Sequence, residues 1–233
     1  MSCRRITLLV FFLVSLQAFS QKLDTRQAYW FSVTNSWIDH SELNAALSSQ
    51  EFESIKDQYT SLGIGWSRFS DRIGFGLTSN LYMMRRSGYF NGQPQFNQKA
   101  VNTQYFSFEG FLAYEVYQSD EGWSFYPRAN FGGGLIRLRT KELTTDFFDT
   151  VSKTGLQYGI SLHMDKLSRL PDVRDEEDRA KPNKFFTLVG FAVGYRLAPA
   201  SSWELTPFPS ESTVSMSPQS FYVSVNIGMG ERR

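Results

Sequence analysis

The chain has 233 residues with 24 basic and 23 acidic side chains, so its formal net charge is only +1. That balance excludes a nucleic-acid binder that depends on counterion release, and an aromatic content of 16% excludes an intrinsically disordered chain. One cysteine and two histidines rule out a disulfide framework and argue against a structural metal site, so we expect no metal and no cofactor.

Residues 1–20 have the pattern of a secretory signal peptide. Two arginines precede an apolar run over residues 6–16, and Ala18 and Ser20 place small residues before a cleavage site. The run is too short to cross a bilayer, and no later stretch approaches the roughly 18 apolar residues of a transmembrane helix. We therefore expect residues 21–233 to form one exported domain.

Eight segments after the signal peptide alternate large apolar residues with small or polar ones, which is the period of a β-strand. Each has about ten residues or more, the length that crosses a bilayer as a tilted strand, and eight is the smallest even number that closes a membrane barrel. In chain order they are Ala28–Trp37, Tyr59–Phe69, Arg72–Tyr82, Thr103–Tyr117, Trp123–Thr140, Thr154–Asp165, Phe185–Leu197 and Phe221–Gly230.

The fifth segment changes phase part-way along. Phe125 and Phe131 occupy odd positions, whereas Ile136 and Leu138 occupy even ones, after the run Gly132–Gly134. One extra residue in a strand reverses the faces of everything that follows it, so this pattern predicts a glycine bulge.

Two short connections predict the register of their hairpins. Pairing Phe69 with Arg72 places Trp66 opposite Phe75. In the same way, pairing Gln118 with Trp123 places Glu115 opposite Tyr126, on the polar face.

The chemistry of the two faces decides between a soluble and a membrane barrel. The apolar face is bulky in all eight segments, while the other face carries mainly Gly, Ser, Ala, Thr and Asn with few charges. Small residues suit the narrow interior of an eight-stranded barrel, whereas the exterior of a soluble barrel would be rich in Lys and Glu. The predicted fold is an all-β, eight-stranded, antiparallel, up-and-down transmembrane β-barrel.

Over Gln27–Gly230 this pattern resembles the small eight-stranded outer-membrane barrels of the OmpA/OmpX type. The resemblance implies an outer-membrane location, contact with outer-membrane lipid, and both termini in the periplasm. Such barrels often end in an aromatic residue, but here the last strand ends Gly228-Met229-Gly230 and a charged tail follows. The predicted outer loops are His40–Gln58, Arg85–Asn102, Lys141–Lys153 and Ala198–Gln219.

The connection 166–184 is long and highly charged although the topology places it on the side of the short turns. A solvated loop explains it, and so does a docking site for a periplasmic or envelope protein partner.

The candidate site is a set of charged and ionisable side chains predicted to face the barrel interior. Unpaired buried charge is costly, so we expect them to pair as a structural network that plugs the lumen. A gate or a narrow ion path is the functional alternative, and His163 could then respond to pH. The set is Glu109, Glu115, Arg128, Arg137, Arg139, His163, Asp165 and Arg196.

No catalytic constellation is expected. The consecutive residues His40, Ser41 and Glu42 cannot easily orient a base toward a nucleophile. Ser48 and Glu51 instead predict a capping box at the start of a short helix in the first loop.

The sequence therefore predicts a non-enzymatic outer-membrane anchor or interaction protein that acts through its loops. Four alternatives stay open: an accessory component of an envelope secretion or assembly complex, a lipid-modifying enzyme, a soluble barrel that binds an apolar ligand, and a narrow pore.

Overall fold

The computed structural model describes residues 25–49, 54–82, 85–86, 89–90, 93–94, 99–142, 148–170, 184–197, 201–204, 213–216 and 219–232. The predicted signal peptide and most of the 166–184 connection lie outside these residues. Within the described part, no helix has the length and apolar character needed to cross a membrane.

Eight long strands follow one another along the chain. They are β1 (Thr25–Ile38), β2 (Gln58–Ser70), β3 (Ile73–Tyr82), β4 (Lys99–Tyr114), β5 (Trp123–Glu142), β6 (Phe148–Arg169), β7 (Phe185–Leu197) and β8 (Ser220–Arg232). One helix, α1 (Ser41–Ser49), follows β1. Short two- and four-residue strands occupy Arg85–Arg86, Tyr89–Phe90, Gln93–Pro94, Tyr117–Gln118, Ser201–Glu204 and Thr213–Met216.

Each long strand pairs antiparallel with the next, and β8 pairs with β1, so the sheet closes into a barrel. The predicted eight-stranded antiparallel barrel is confirmed. Following Cα partners once around the barrel gives a shear of ten residues, which corresponds to a strand tilt of roughly 40°. The path is Ala28, Ser67, Gly76, Phe111, Asn130, Gly159, Arg196, Ser220 and back to β1 at Ile38.

The apolar faces of the strands point outward. Ile160 is 71% exposed and Phe108 is 50% exposed, while Ser161 and Ser107, their neighbours in sequence, are buried. The alternating period of two therefore places the large apolar side chains on the exterior, as predicted. We call the end where β1 begins and β8 ends the terminus end, and the end that carries α1 the loop end.

The β2–β3 hairpin has a different register from the predicted one. Trp66 pairs with Leu77, not Phe75, because Asp71 and Arg72 form the turn and Asp71 adopts a positive φ of 55°. The shift of two residues leaves every side chain on its predicted face. Trp66 and Phe75 still pack edge to face, with ring centroids 5.7 Å apart.

The β4–β5 register is confirmed along the whole of the paired strands, from Lys99 opposite Glu142 to Ala113 opposite Arg128. Beyond β4 the pairing moves by one residue, so the predicted pairing of Gln118 with Trp123 is wrong, and Gln118 lies opposite Ser124.

The predicted glycine bulge in β5 is wrong. Pairing with β4 continues through Gly132–Gly134 without a shift, and pairing with β6 does the same. What changes is the environment of the two faces. Phe131 is exposed and Asn130 is buried, but farther along the strand Arg137 is exposed and Leu138 is buried. The exterior thus changes from apolar to polar, and the interior from polar to apolar, as β5 leaves the apolar belt.

Two further predictions at the loop end are wrong. The segment Lys141–Lys153 is largely strand rather than loop, because β5 and β6 extend to Glu142 and from Phe148. The helix runs over Ser41–Ser49, so Ser48 lies in its last turn and not at its start, while Glu51 of the predicted capping box lies outside the described residues. The Asp39 carboxylate accepts a hydrogen bond from the Ser41 N–H at 2.9 Å, and Asn44 N–H bonds to the His40 carbonyl, so these residues supply the helix start.

Candidate functional site

The structure brings six of the eight predicted site residues into the barrel interior. Glu109, Glu115, Arg128, His163, Asp165 and Arg196 are each 6% exposed or less. Arg137 is not among them: its side chain is exposed on the outer face, where its Nε donates to Ser152 Oγ at 3.3 Å. The interior placement of Arg137 is therefore wrong, because no bulge reverses the faces of β5. The side chain of Arg139 lies outside the described part.

Glu109 and Arg196 form a buried ion pair across the lumen. Glu109 Oε1 lies 2.5 Å from Arg196 Nε, in contact without a linear N–H···O hydrogen bond. Arg196 Nη1 also donates to the Tyr82 hydroxyl at 2.6 Å, and its guanidinium lies 4.5 Å from the centroid of the Tyr222 ring. One arginine from β7 thus binds groups from β3, β4 and β8, and pairs with a carboxylate on a residue that is only 2% exposed.

A second ion pair lies at the terminus end, and it includes a residue that sequence reasoning missed. Arg26 Nη2 lies 2.5 Å from Glu115 Oε1 and donates to Ser124 Oγ at 3.2 Å. The Ser124 hydroxyl donates to Glu115 as well. Arg26 could have been predicted from its even position two residues before Ala28, because even positions of β1 lie on the inward face.

Arg128 is held by aromatic rings rather than by an acid. Its guanidinium lies 3.4 Å from the centroid of the Phe111 ring and 6.0 Å from that of Trp30. Stacking of this kind is favourable for the planar, delocalised charge of arginine in a desolvated site.

Ser161, His163 and Asp165 face the lumen from alternate positions of β6. His163 Nε2 lies 3.1 Å from Ser161 Oγ, but Asp165 accepts its hydrogen bond from the Tyr126 hydroxyl at 2.5 Å. The His163 Nδ1 atom has no hydrogen-bond partner, so no carboxylate orients the imidazole as in a catalytic triad. All three side chains are buried within the barrel.

Small residues of the lumen leave room for large aromatic rings that point inward from neighbouring strands. The sequence analysis did not predict these inward rings. A Cβ added to Gly65 would lie 2.3 Å from the Trp30 ring, and one added to Gly74 would lie 2.4 Å from the Phe69 ring. These rings lie in the barrel interior together with the polar network. The terminus-end cluster consists of Ala28, Trp30, Phe69, Phe111, Ala113, Tyr126, Phe186 and Leu188.

At the loop end, helix α1 packs against an apolar cluster of barrel residues. Leu43 and Leu47, one helical turn apart, are 3% and 0% exposed and point into it. We call this the loop-end cluster; it consists of Ile38, Leu43, Leu47, Ile55, Tyr59, Tyr82, Val101, Tyr105 and Leu138.

His40 is buried beside the loop-end cluster. Its Nδ1–H donates to the Ile38 carbonyl at 3.0 Å, Asp57 Oδ1 lies 3.4 Å away, and its ring packs on Tyr59. Burial lowers the pKa of His40 below its ordinary value of 6.5, although Asp57 opposes that shift. The residue thus contributes to packing of the loop-end cluster, whereas its neighbours Ser41 and Glu42 are exposed to solvent.

Among the described residues, no group of three or more His, Cys, Asp or Glu side chains is arranged to hold a metal ion. The acidic groups of the lumen lie instead in contact with arginine, serine or tyrosine. The site therefore consists of ion pairs and hydrogen bonds among buried side chains of the barrel interior.

No protein-family model and no curated protein matches the chain. Several solved structures do. Ail, the attachment invasion locus protein of Yersinia pestis, in complex with a heparin analogue, is 11% identical with a TM-score of 0.45, and the match covers 91% of this chain and 100% of that one. Neisserial surface protein A is 12% identical with a TM-score of 0.43, over 89% of this chain and 96% of that one. The outer membrane protease OmpT from Escherichia coli is 7% identical with a TM-score of 0.33, over 90% and 97%.

Proposed function

We propose that this protein is an integral outer-membrane β-barrel with a closed lumen, and that it acts as a non-enzymatic membrane anchor and interaction protein. One observation carries the membrane placement: large apolar side chains are exposed on all eight strands of a closed barrel. Phe31, Leu156 and Ile160 are each more than 70% exposed. A lipid environment removes this surface from water, and closure of the barrel leaves no backbone edge unpaired within it.

The buried side chains of the described barrel interior support an anchor rather than a channel. The Glu109–Arg196 pair, the rings around Arg128 and the loop-end cluster occupy the lumen in succession. An eight-stranded barrel has an interior just wide enough for side chains to fill.

Fractionation and gel mobility test the proposal. The protein should remain with outer membranes after washing and should migrate faster on a detergent gel before boiling than after it. Release by washing without detergent would favour a soluble barrel, and steady conductance in a planar bilayer would favour a pore.

A second candidate function, an accessory role in an envelope complex, is favoured by the terminus end. A cavity of about 980 Å³ opens there, and its charged lining includes Arg26, Lys166, Arg169 and Lys184. The 166–184 connection begins and ends at this cavity, so a periplasmic partner would meet both. Affinity purification from cells with residues 171–183 deleted would test this role, and retention of every envelope partner by the deletion variant would contradict it.

A further inference from the structure

A groove of about 740 Å³ runs across the outer surface of the barrel. Its floor lies on β5, where the compact side chains of Pro127 and Ala129 are exposed. Ala129 pairs with Leu112 of β4 on one side and with Ile160 of β6 on the other, and both of these larger side chains project outward. Two small outward residues between rows of large ones therefore leave a depression in the apolar face. We call it the outer groove.

The outer groove climbs from the terminus end across the apolar belt. Ile73 and Tyr114, which pair near the terminus end, line its start, and Tyr195 and Phe221, which pair near the loop end, line its finish. From β3 to β8 the chain makes five steps between neighbouring strands of about 4.8 Å each. At a tilt of roughly 40° this path rises about 15 Å along the barrel axis. That rise is half of a hydrocarbon core about 30 Å thick, so the groove spans the depth of one membrane leaflet.

A polar cavity adjoins the outer groove at the terminus end. Arg72, which lines the cavity, immediately precedes Ile73, and Glu115, which also lines it, immediately follows Tyr114. The Arg72 carbonyl accepts a hydrogen bond from the Glu115 N–H at 2.7 Å. The groove and the cavity therefore meet at the same part of the barrel rim.

The cavity is basic and has a volume of about 270 Å³. Its charged lining consists of Arg26, Asp71, Arg72, Glu115 and Arg232. Because Arg26 forms an ion pair with Glu115, two arginines stand against one aspartate, and the formal charge of the lining is +1. One negative charge would balance it.

We propose that the outer groove and the basic cavity together bind one anionic phospholipid of the membrane, with an acyl chain in the groove and the phosphate in the cavity. An acyl chain needs a long apolar surface at leaflet depth, and the groove supplies one. A phosphodiester carries one negative charge, and arginine binds its oxygens through a planar fork of N–H donors. The inference rests on the proposed membrane placement, in which the groove lies in the hydrocarbon and its start lies at the membrane surface.

Other ligands would use only half of the site. A soluble phosphate ester would occupy the cavity and leave the groove empty, whereas an uncharged lipid would occupy the groove without balancing the arginines. The juxtaposition of an apolar groove with a basic cavity at one rim therefore favours a single molecule that has both parts.

The test is native mass spectrometry of the full chain folded in micelles that contain equal amounts of phosphatidylglycerol and phosphatidylcholine. We expect one phosphatidylglycerol per barrel to remain bound after the detergent is removed, in roughly fivefold preference to phosphatidylcholine, because only the former carries a net charge. Excess glycerol phosphate should not displace it. Displacement would limit the site to the cavity and contradict binding of the chain.

Two pairs of variants separate the chain from the phosphate. Ala129→Phe fills the floor of the groove and should lower the retention of lipid roughly tenfold, whereas the matched control Ile227→Phe, on the outer face of β8 away from the groove, should change it less than about twofold. Arg72→Gln should abolish the preference for phosphatidylglycerol. Arg68→Gln removes the same charge near the terminus end but outside the cavity, so it should keep that preference.

Equal retention by Ala129→Phe and Ile227→Phe would overturn the proposal, as would equal retention of the two lipids by the natural chain. A dimer that excludes lipid and is lost in Ala129→Phe would replace the lipid with a second copy. Each variant is compared after heat-modifiable mobility has shown that it is folded, and Arg72→Gln decides the question if Ala129→Phe does not fold. A natural chain without heat-modifiable mobility would instead contradict the proposed membrane barrel, so the two failures are distinguishable.

Discussion

The stability contribution of the Glu109–Arg196 pair tests whether water enters the barrel lumen. In Arg196→Met the long side chain and much of its volume remain, but Glu109, which is 2% exposed, loses its counterion. Breaking a buried ion pair from one side costs about 3–5 kcal/mol, because an uncompensated charge stays buried. The Tyr82 hydroxyl also loses its hydrogen bond from the guanidinium.

The assay is equilibrium urea unfolding in detergent micelles or lipid vesicles, followed by tryptophan fluorescence and by gel mobility without boiling. With an m value of about 2 kcal/mol/M, a loss of 4 kcal/mol lowers the midpoint by roughly 2 M. The double variant Glu109→Gln/Arg196→Met removes both charges and should recover most of the stability. A matched control is Ser224→Ala, which removes two neutral lumen hydrogen bonds, one from Thr34 (2.9 Å) and one to Asn226 (3.2 Å), and should cost only about 1–2 kcal/mol.

The reasoning fails if Arg196→Met costs no more than Ser224→Ala, or if the double variant is no more stable than the single one. Either result would show that water reaches Glu109 and screens its charge. The lumen would then be a hydrated path rather than a plug, and conductance measurements would become the relevant assay.

Three further predictions follow from other parts of the barrel. Gly65→Leu should prevent folding because the leucine side chain would overlap the Trp30 ring. The combined variant Gly65→Leu/Trp30→Ala should recover the gel mobility of a folded barrel. Normal folding of the single variant would contradict this reasoning. Ile160→Lys on the outer face should lower the unfolding free energy in lipid vesicles by about 2–4 kcal/mol, while an unchanged value would place this face outside the hydrocarbon. His40 has a lowered pKa when folded, so the unfolded chain takes up its proton first, and stability should fall as the pH drops below 6.5. Urea unfolding between pH 7.5 and about pH 5 should show a smaller loss for His40→Gln, and an identical pH dependence would exclude His40 as its source.

Local alternation was enough to predict the barrel. A period of two along β6 assigns Leu156, Ile160 and Met164 to one face and Gln157, Ser161 and Asp165 to the other, whatever the partners of the strand are. The predicted faces of β2 and β3 were also correct although the predicted register was wrong, because a shift of two residues leaves each side chain on the same face. The sequence alone therefore determined strand number, closure, and the interior position of six charged or ionisable residues.

Other features depended on what surrounds a strand, which no local pattern contains. Arg137 and Leu138 follow the same alternation as Phe131 and Asn130, but they lie beyond the apolar belt, where the exterior is polar and helix α1 makes the interior apolar. Likewise, only the closed barrel shows that Gly65 leaves room for Trp30 and that Arg26 contacts Glu115. A side chain's face is set by backbone geometry within one strand, whereas its partner and its solvent are set by strands distant in the sequence.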